Sequence, residues 1–154
     1  MEREELVALL QGGHGFVEKA IDGMSEEQLS TVCEGFNNNI VWNLGHLASS
    51  LAGMTYAHSG LDSPLPESYT DLFKGGSSPS TWETAPDVSE VVENFKKLAP
   101  QVSEDLLADK FDSFEAFDLM PGFSMGSVEQ VLGFHLMHAG MHMHAIGAIK
   151  KALG

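Results

Sequence analysis

From Glu2 to about Gly23 the apolar residues Leu6, Leu9, Leu10, Phe16, Val17, Ala20 and Ile21 return at intervals close to a helical turn, which predicts a first helix. Gly12, Gly13 and Gly15 weaken its middle, so any bend is expected there. Ser25, followed three residues later by Gln28, reads as a capping box that opens a short helix or turn. After the asparagines at 37–39, a second long helix is expected from about Asn39 to Ser59. Ile40, Leu44, Leu47, Leu51 and Met54 form its stripe, with Trp42 and His46 one turn apart beside it. Gly60 to Pro86 is rich in proline, glycine and serine and longer than a compact connection needs, so it is expected to be a loop able to cover a site.

Asp87 to about Asp109 predicts a third helix through Val88, Val91, Val92, Phe95, Leu98, Val102, Leu106 and Leu107, kinked or split at Pro100. The stretch DSFEAFDLMPGFSMG is expected to be a second irregular connection whose three phenylalanines need burial. Ser127 should cap a last helix that runs through Leu153, with Glu129 in its first turn and Lys150 and Lys151 near its end, as the helix dipole favours. No segment alternates as a strand would. The fold class expected is all-α: an antiparallel four-helix bundle with long end loops, one domain over residues 1–154.

Composition narrows the function. A chain of 154 residues that is 43% apolar can close one core without crosslinks. Acidic residues outnumber basic ones 22 to 8, and the net charge of −14 argues against nucleic acid or an anionic membrane as a partner. Cys33 is the single cysteine, so no intramolecular disulfide can form and a reducing compartment is expected. The start, MEREELVALL, has no basic region ahead of an apolar run, and no stretch reaches the roughly 18–20 apolar residues a membrane span needs. A soluble, cytoplasmic protein is expected.

Candidate chemistry lies in FHLMHAGMHMHAIGAI, residues 134–149, which holds His135, His138, His142 and His144 of the chain's seven histidines. With Val128, Leu132, Ile146, Ile149 and Leu153, the first three of these occupy one helix face. His138 and His142 are about 40° apart on successive turns, whereas His144 points about 200° away from His142. An i,i+4 histidine pair offers two imidazoles to a transition metal, and His46 on the second helix is the natural third ligand. Gly45, Gly133, Gly140 and Gly147 are expected to let backbones approach. His135 reads first as a core histidine, otherwise as a residue behind the ligands or at the mouth of such a site; His14, His58 and His144 read as surface or interface residues, and Met137, Met141 and Met143 as helix packing or, where exposed, a dimer surface. By spacing alone, a metal site and a set of core histidines stand about level.

WNLGHL at 42–47 and HAGMHMHAI at 138–146, in that order on two long helices, resemble the DinB-like metal-binding four-helix bundles, which include YfiT-type proteins. The resemblance implies that His46, His138 and His142 bind one divalent transition metal, zinc or nickel before others, with a position left for water or a thiol. It further implies a low-molecular-weight-thiol S-transferase or related thiol-dependent enzyme acting on a small molecule. The alternatives are a metal-dependent hydrolase and a non-catalytic metal- or ligand-binding bundle, and a homodimer is the implied assembly. Where the family's last motif usually continues with a Gly-Gln-Ile-like ending, this chain has His144, Ala145 and Ile146. No carboxylate lies on the histidine face of the last helix, and Asn43, Tyr56, Glu67 and Tyr69 are the candidate site neighbours, with no catalytic residue assigned.

Overall fold

The computed structural model describes residues 2–154 and is mainly helical. Its helices are α1 (Arg3–Ile21), α2 (Glu26–Ser30), α3 (Ile40–Thr55), α4 (Tyr69–Phe73), α5 (Val88–Leu107) and α6 (Val128–Leu153), with single 3-10 turns at Ala57–Ser59 and Pro79–Thr81. None of them is long and apolar enough to cross a membrane. Four are long, and α1 and α3 each pack against both α5 and α6. Each long helix buries most of the stripe that its sequence period marks, Leu6, Leu10, Val17 and Ile21 on α1 and Ile40, Leu44, Leu47 and Leu51 on α3, whereas Leu9 and Phe16 of α1 and Leu107 of α5, expected in those stripes, are exposed.

Local chemistry sets the helix starts. The Ser25 and Gln28 capping box opens α2 as its spacing predicts. The Asn39 side chain accepts from the Trp42 amide at 2.8 Å and opens α3, and Ser127 accepts from the Gln130 amide at 3.3 Å and opens α6. Pro100, expected to kink or split α5, lies inside one continuous helix. The lost backbone bond is outweighed by the stripe of Phe95, Leu98, Val102 and Leu106 buried on both sides of it.

The directions of the long helices depart from the antiparallel arrangement expected. Arg3, at the start of α1, reaches the Leu106 carbonyl and Asp109 at the end of α5, and Glu129 at the start of α6. Midway, His14 meets Phe95 and His135, and Lys150 near the end of α6 donates to the Ala20 carbonyl near the end of α1. Thus α1 and α6 run in the same direction and α5 runs against both. Asn43 meets His142 while Cys33, upstream of α3, lies at Ile149, so α3 runs against α6 and with α5.

A chain whose α3 and α5 are parallel needs a connection that travels the length of both. Residues 56–87 are that crossover, which is why they are so long. They are not an end loop, and they carry α4 along the side of α3.

The second connection holds a feature absent from the sequence expectation. Phe117–Met120 (β1) and Phe123–Met125 (β2) form an antiparallel hairpin, turned at Pro121 and Gly122, with Gly122 at φ +82°. Its strands are too short to register as a period, and the Pro-Gly pair was its one signal. The hairpin leaves Phe123 largely exposed, so the expected burial of all three phenylalanines does not occur.

At the end of the molecule where α3 stops, buried Asp105 accepts from the Tyr56 hydroxyl at 2.5 Å, Lys110 Nζ at 2.6 Å and Gln101 Nε2 at 3.1 Å. Burial alone would raise its pKa, but these donors together hold it below the ordinary carboxylate value. Tyr56→Phe is expected to cost about 1.5–3 kcal/mol by urea unfolding at neutral pH. The carboxylate's contribution is fully present above its unfolded pKa of about 3.9 and is lost as the pH falls through the lower folded value, so the cost of the substitution should shrink in acid.

Candidate metal centre

Once Asn39 has fixed the first turn of α3, Trp42 and His46 follow on successive turns of one side, and their rings stack with centroids 4.7 Å apart. Trp42 Nε1–H donates to Ser77 Oγ at 2.9 Å, which ties the indole to the crossover. His46 Nδ1 lies 2.6 Å from the Phe73 carbonyl oxygen. A carbonyl only accepts, so the proton sits on Nδ1 and the lone pair on Nε2.

The same logic sets His142. Asn43 Nδ2 donates to the Asn39 carbonyl at 2.8 Å, which orients the amide, and Asn43 Oδ1 then accepts from His142 Nδ1–H at 2.7 Å. The free lone pair of His142 is again on Nε2. That atom is 3.0 Å from His138 Nε2, and the ring centroids of His46 lie 5.1 Å from His138 and 5.0 Å from His142. One ligand nitrogen from each of the three rings lies within 4.8 Å of the others.

Whether these residues suit a metal ion follows from their protons. Burial lowers the pKa of His46; for His138 and His142 burial first, then repulsion from neighbouring histidines, lowers it to about 4. All three rings are therefore neutral at pH 7. The His142 Nε2 lone pair meets His138 Nε2, His46 Nε2 has only a 3.5 Å contact from the Ser50 hydroxyl, and His138 Nδ1 is buried with no partner. A single cation accepts all three lone pairs at once, and the carbonyl and amide on the far nitrogens of His46 and His142 are the supports a metal-bound imidazole uses. The donor set fits a transition metal.

The other histidines fall differently from expectation. His14, expected at the surface, is buried, stacks on Phe95 with centroids 4.5 Å apart, and sits with Nε2 2.9 Å from Nε2 of His135. His135 is likewise buried, as a core histidine would be, and its ring lies behind that of His138 with centroids 6.5 Å apart rather than at a mouth. The sequence did hold the signal for His14, which continues the stripe Leu6, Leu10, Val17 and Ile21 in register. His58 is half-buried and stacks on Phe117 at 3.8 Å rather than lying on the surface. His144 is exposed as expected.

Of the candidate neighbours, only Asn43 is at the site: Tyr56 pairs with Asp105, Tyr69 with Asn94, and Glu67 is exposed on the crossover. Close approach occurs at Gly45 alone of the four glycines expected to permit it. The Phe73 ring fills the space of an absent Cβ there, and nothing lies within 4 Å of that position at Gly133, Gly140 or Gly147. Met137, Met141 and Met143 do not pack within the helices and are exposed. Sequence reading missed Phe73 and Phe134. Phe134, one turn before His138, was visible by spacing, and the Phe73 carbonyl had no signal because a backbone group from a distant loop supplies the contact.

A mainly helical protein with three neutral imidazoles gathered from two antiparallel helices defines a class of candidate metal-binding proteins. Residues 14–146 match the sequence model of the DinB superfamily, and the chain belongs to that superfamily. No curated protein matches it.

Loss of a supporting group should be felt at the metal. Asn43→Ala is expected to weaken zinc binding about 10–100-fold, measured by competition with a chromogenic chelator, while the helical circular dichroism is retained. The metal-free protein should also be acid-sensitive. His14, His138 and His142 have folded pKa values of about 4, below the unfolded value of about 6.5. Between those two pH values the unfolded chain binds the extra protons, so urea midpoints should fall steadily as the pH drops through that window.

Proposed function

We propose that this chain is a divalent-metal-dependent thiol S-transferase, or a closely related thiol-dependent enzyme, with His46, His138 and His142 holding one zinc or nickel ion. The observation that carries the reading is the convergence of three neutral imidazoles, one nitrogen of each within 4.8 Å of the others, with His46 and His142 oriented by the Phe73 carbonyl and Asn43. The reading takes the four long helices as one DinB-type bundle domain working in the cytoplasm on a small molecule. When bound, the ion would keep its positive charge among neutral ligands and lower the pKa of a thiol beside it.

The choice of a thiol over water rests on magnitudes. The groups against the three rings are the Phe73 carbonyl, Asn43, Ser50, Trp42, Phe134 and His135; the first five are not bases near neutrality, and burial holds the His135 imidazole well below its ordinary pKa. A thiol starts from a pKa of about 8.5 and water from about 15.7, so a thiol needs far less help to lose its proton. In the transfer, the thiolate sulfur forms a bond to an electrophilic carbon, the bond from that carbon to its leaving group breaks with the electron pair, and the thiol proton passes to solvent. The chain's part is to hold the imidazoles. Phe73 and Asn43 orient His46 and His142, and the Trp42 indole lies flat on His46 and keeps water from that side.

Protein purified without a nickel column, loaded with zinc or nickel, should consume cysteine or glutathione in the presence of 1-chloro-2,4-dinitrobenzene. Elemental mass spectrometry should find about one metal per chain, and both metal and thiol consumption should be lost in His46→Ala, His138→Ala and His142→Ala. Hydrolysis of p-nitrophenyl acetate at a rate unchanged by thiol, with no thiol consumption, would replace this reading with a hydrolase. A wild-type protein that stays empty when offered either metal overturns both.

A further inference from the structure

We infer that the solvent side of the three-histidine cluster is an aromatic, uncharged subsite built by Phe134 and Phe123, and that it selects electrophiles with an apolar body over anionic ones. The inference rests on the thiol-transfer reading and adds the substrate's chemical class. Phe134 lies four residues before His138 on α6 and stacks on its ring, with centroids 5.7 Å apart and planes 22° from parallel. Phe123 comes from the hairpin and meets Phe134 edge to face at 6.2 Å. A local strand pair thus adds a second aromatic ring to the first, next to a candidate metal ligand.

Helical geometry assigns Phe134, and with it the Phe123 ring it touches, to the outer side of the site. At about 100° per residue, Phe134 and Met141 both fall about 40–60° from His138 in one sense, while His135 and Ala139 fall about 60–100° in the other. His135 and Ala139 are buried against the core, whereas Met141 is 62% exposed and Phe123 is 45% exposed. The side of His138 that faces away from the core is therefore lined with apolar side chains. Exposed aromatic and thioether groups clustered beside a polar centre mark a ligand surface, because water solvates them poorly and they add nothing there to the core.

Charge points the same way. The side chains against the three rings are aromatic, amide and hydroxyl groups, with no lysine or arginine among them. The chain's net charge of −14 repels anions over most of its surface. A carboxylate on the substrate body would lose water at the Phe134 and Phe123 rings without gaining a partner. A phenyl or alkyl body instead gains stacking and apolar burial on the same surface.

The test compares benzyl chloride with 4-(chloromethyl)benzoate, which share the reacting carbon and leaving group, at fixed glutathione with the zinc-loaded protein. The sulfur–carbon bond forms, chloride leaves with the electron pair, and the thiol proton goes to buffer in both cases. The apolar electrophile should have a kcat/KM at least about tenfold higher, Phe134→Ala should reduce that ratio severalfold through KM with the metal content unchanged, and Phe134→Leu should retain most of it.

Binding of the unreactive analogues benzyl alcohol and 4-(hydroxymethyl)benzoate, followed by ligand-observed NMR, reads the subsite without turnover and should show the same preference and the same loss in Phe134→Ala. Benzyl alcohol binding that depends on Phe134, without thiol consumption, would support the aromatic subsite and overturn the transferase reading alone. Thiol transfer in which the carboxylate substrate does equally well, or in which Phe134→Ala leaves the ratio unchanged, overturns the subsite.

Discussion

The site depends on the way the crossover between α3 and α5 is laced to α3. Ser49 Oγ donates to the Tyr69 carbonyl, His46 Nδ1–H to the Phe73 carbonyl and Trp42 Nε1–H to Ser77 Oγ, so the crossover descends along α3 as the residue numbers of α3 fall. Each link lies about one turn of α3 from the next, and Tyr69 and Phe73 are themselves one turn apart in α4, so the two helices stay in register. Gly45 makes the middle link close, because the Phe73 ring occupies the volume a side chain would need. Remove that approach and His46 loses the acceptor that defines its tautomer.

Burial then does the electrostatic work. An imidazole held away from water resists protonation, and a second and third beside it resist it further, since each cation would repel the next. The result is a neutral, lone-pair-rich cluster inside a chain that is strongly acidic elsewhere. The paired His14 and His135 sit deeper and obey the same rule: burial holds them neutral, and their ring nitrogens face each other. Depth separates the two groups. The triple is half-buried between α3 and α6, within reach of solvent, whereas the pair is enclosed between α1, α5 and α6.

Parallel neighbours explain why the pair and the triple are contiguous. With α1 and α6 running the same way, His14 and His135 fall at matching heights, and α3, running against α6, brings His46 opposite the next turn. Every ligand candidate on α6 therefore has a partner helix on one flank or the other.

Much of this was legible in the chain itself. The four long helices, the cap at Ser127, and the convergence of His46, His138 and His142 follow from helical period, short-range hydrogen bonding and motif resemblance, all of which act over a few residues or a few turns. The burial of His14 was equally present in the α1 stripe, which it continues in register. Helix direction, the continuity of α5 through Pro100, the hairpin and the supports at Phe73 and Asn43 belong to another scale. They depend on which segments meet after the crossover has travelled the length of the molecule. No local period encodes a contact between a backbone carbonyl and a ring 27 residues away. The sequence by itself determined the helices and the three imidazoles that face one another; tertiary packing alone decided that Nδ1 carries the proton in His46 and His142, because that depends on acceptors delivered from elsewhere in the fold.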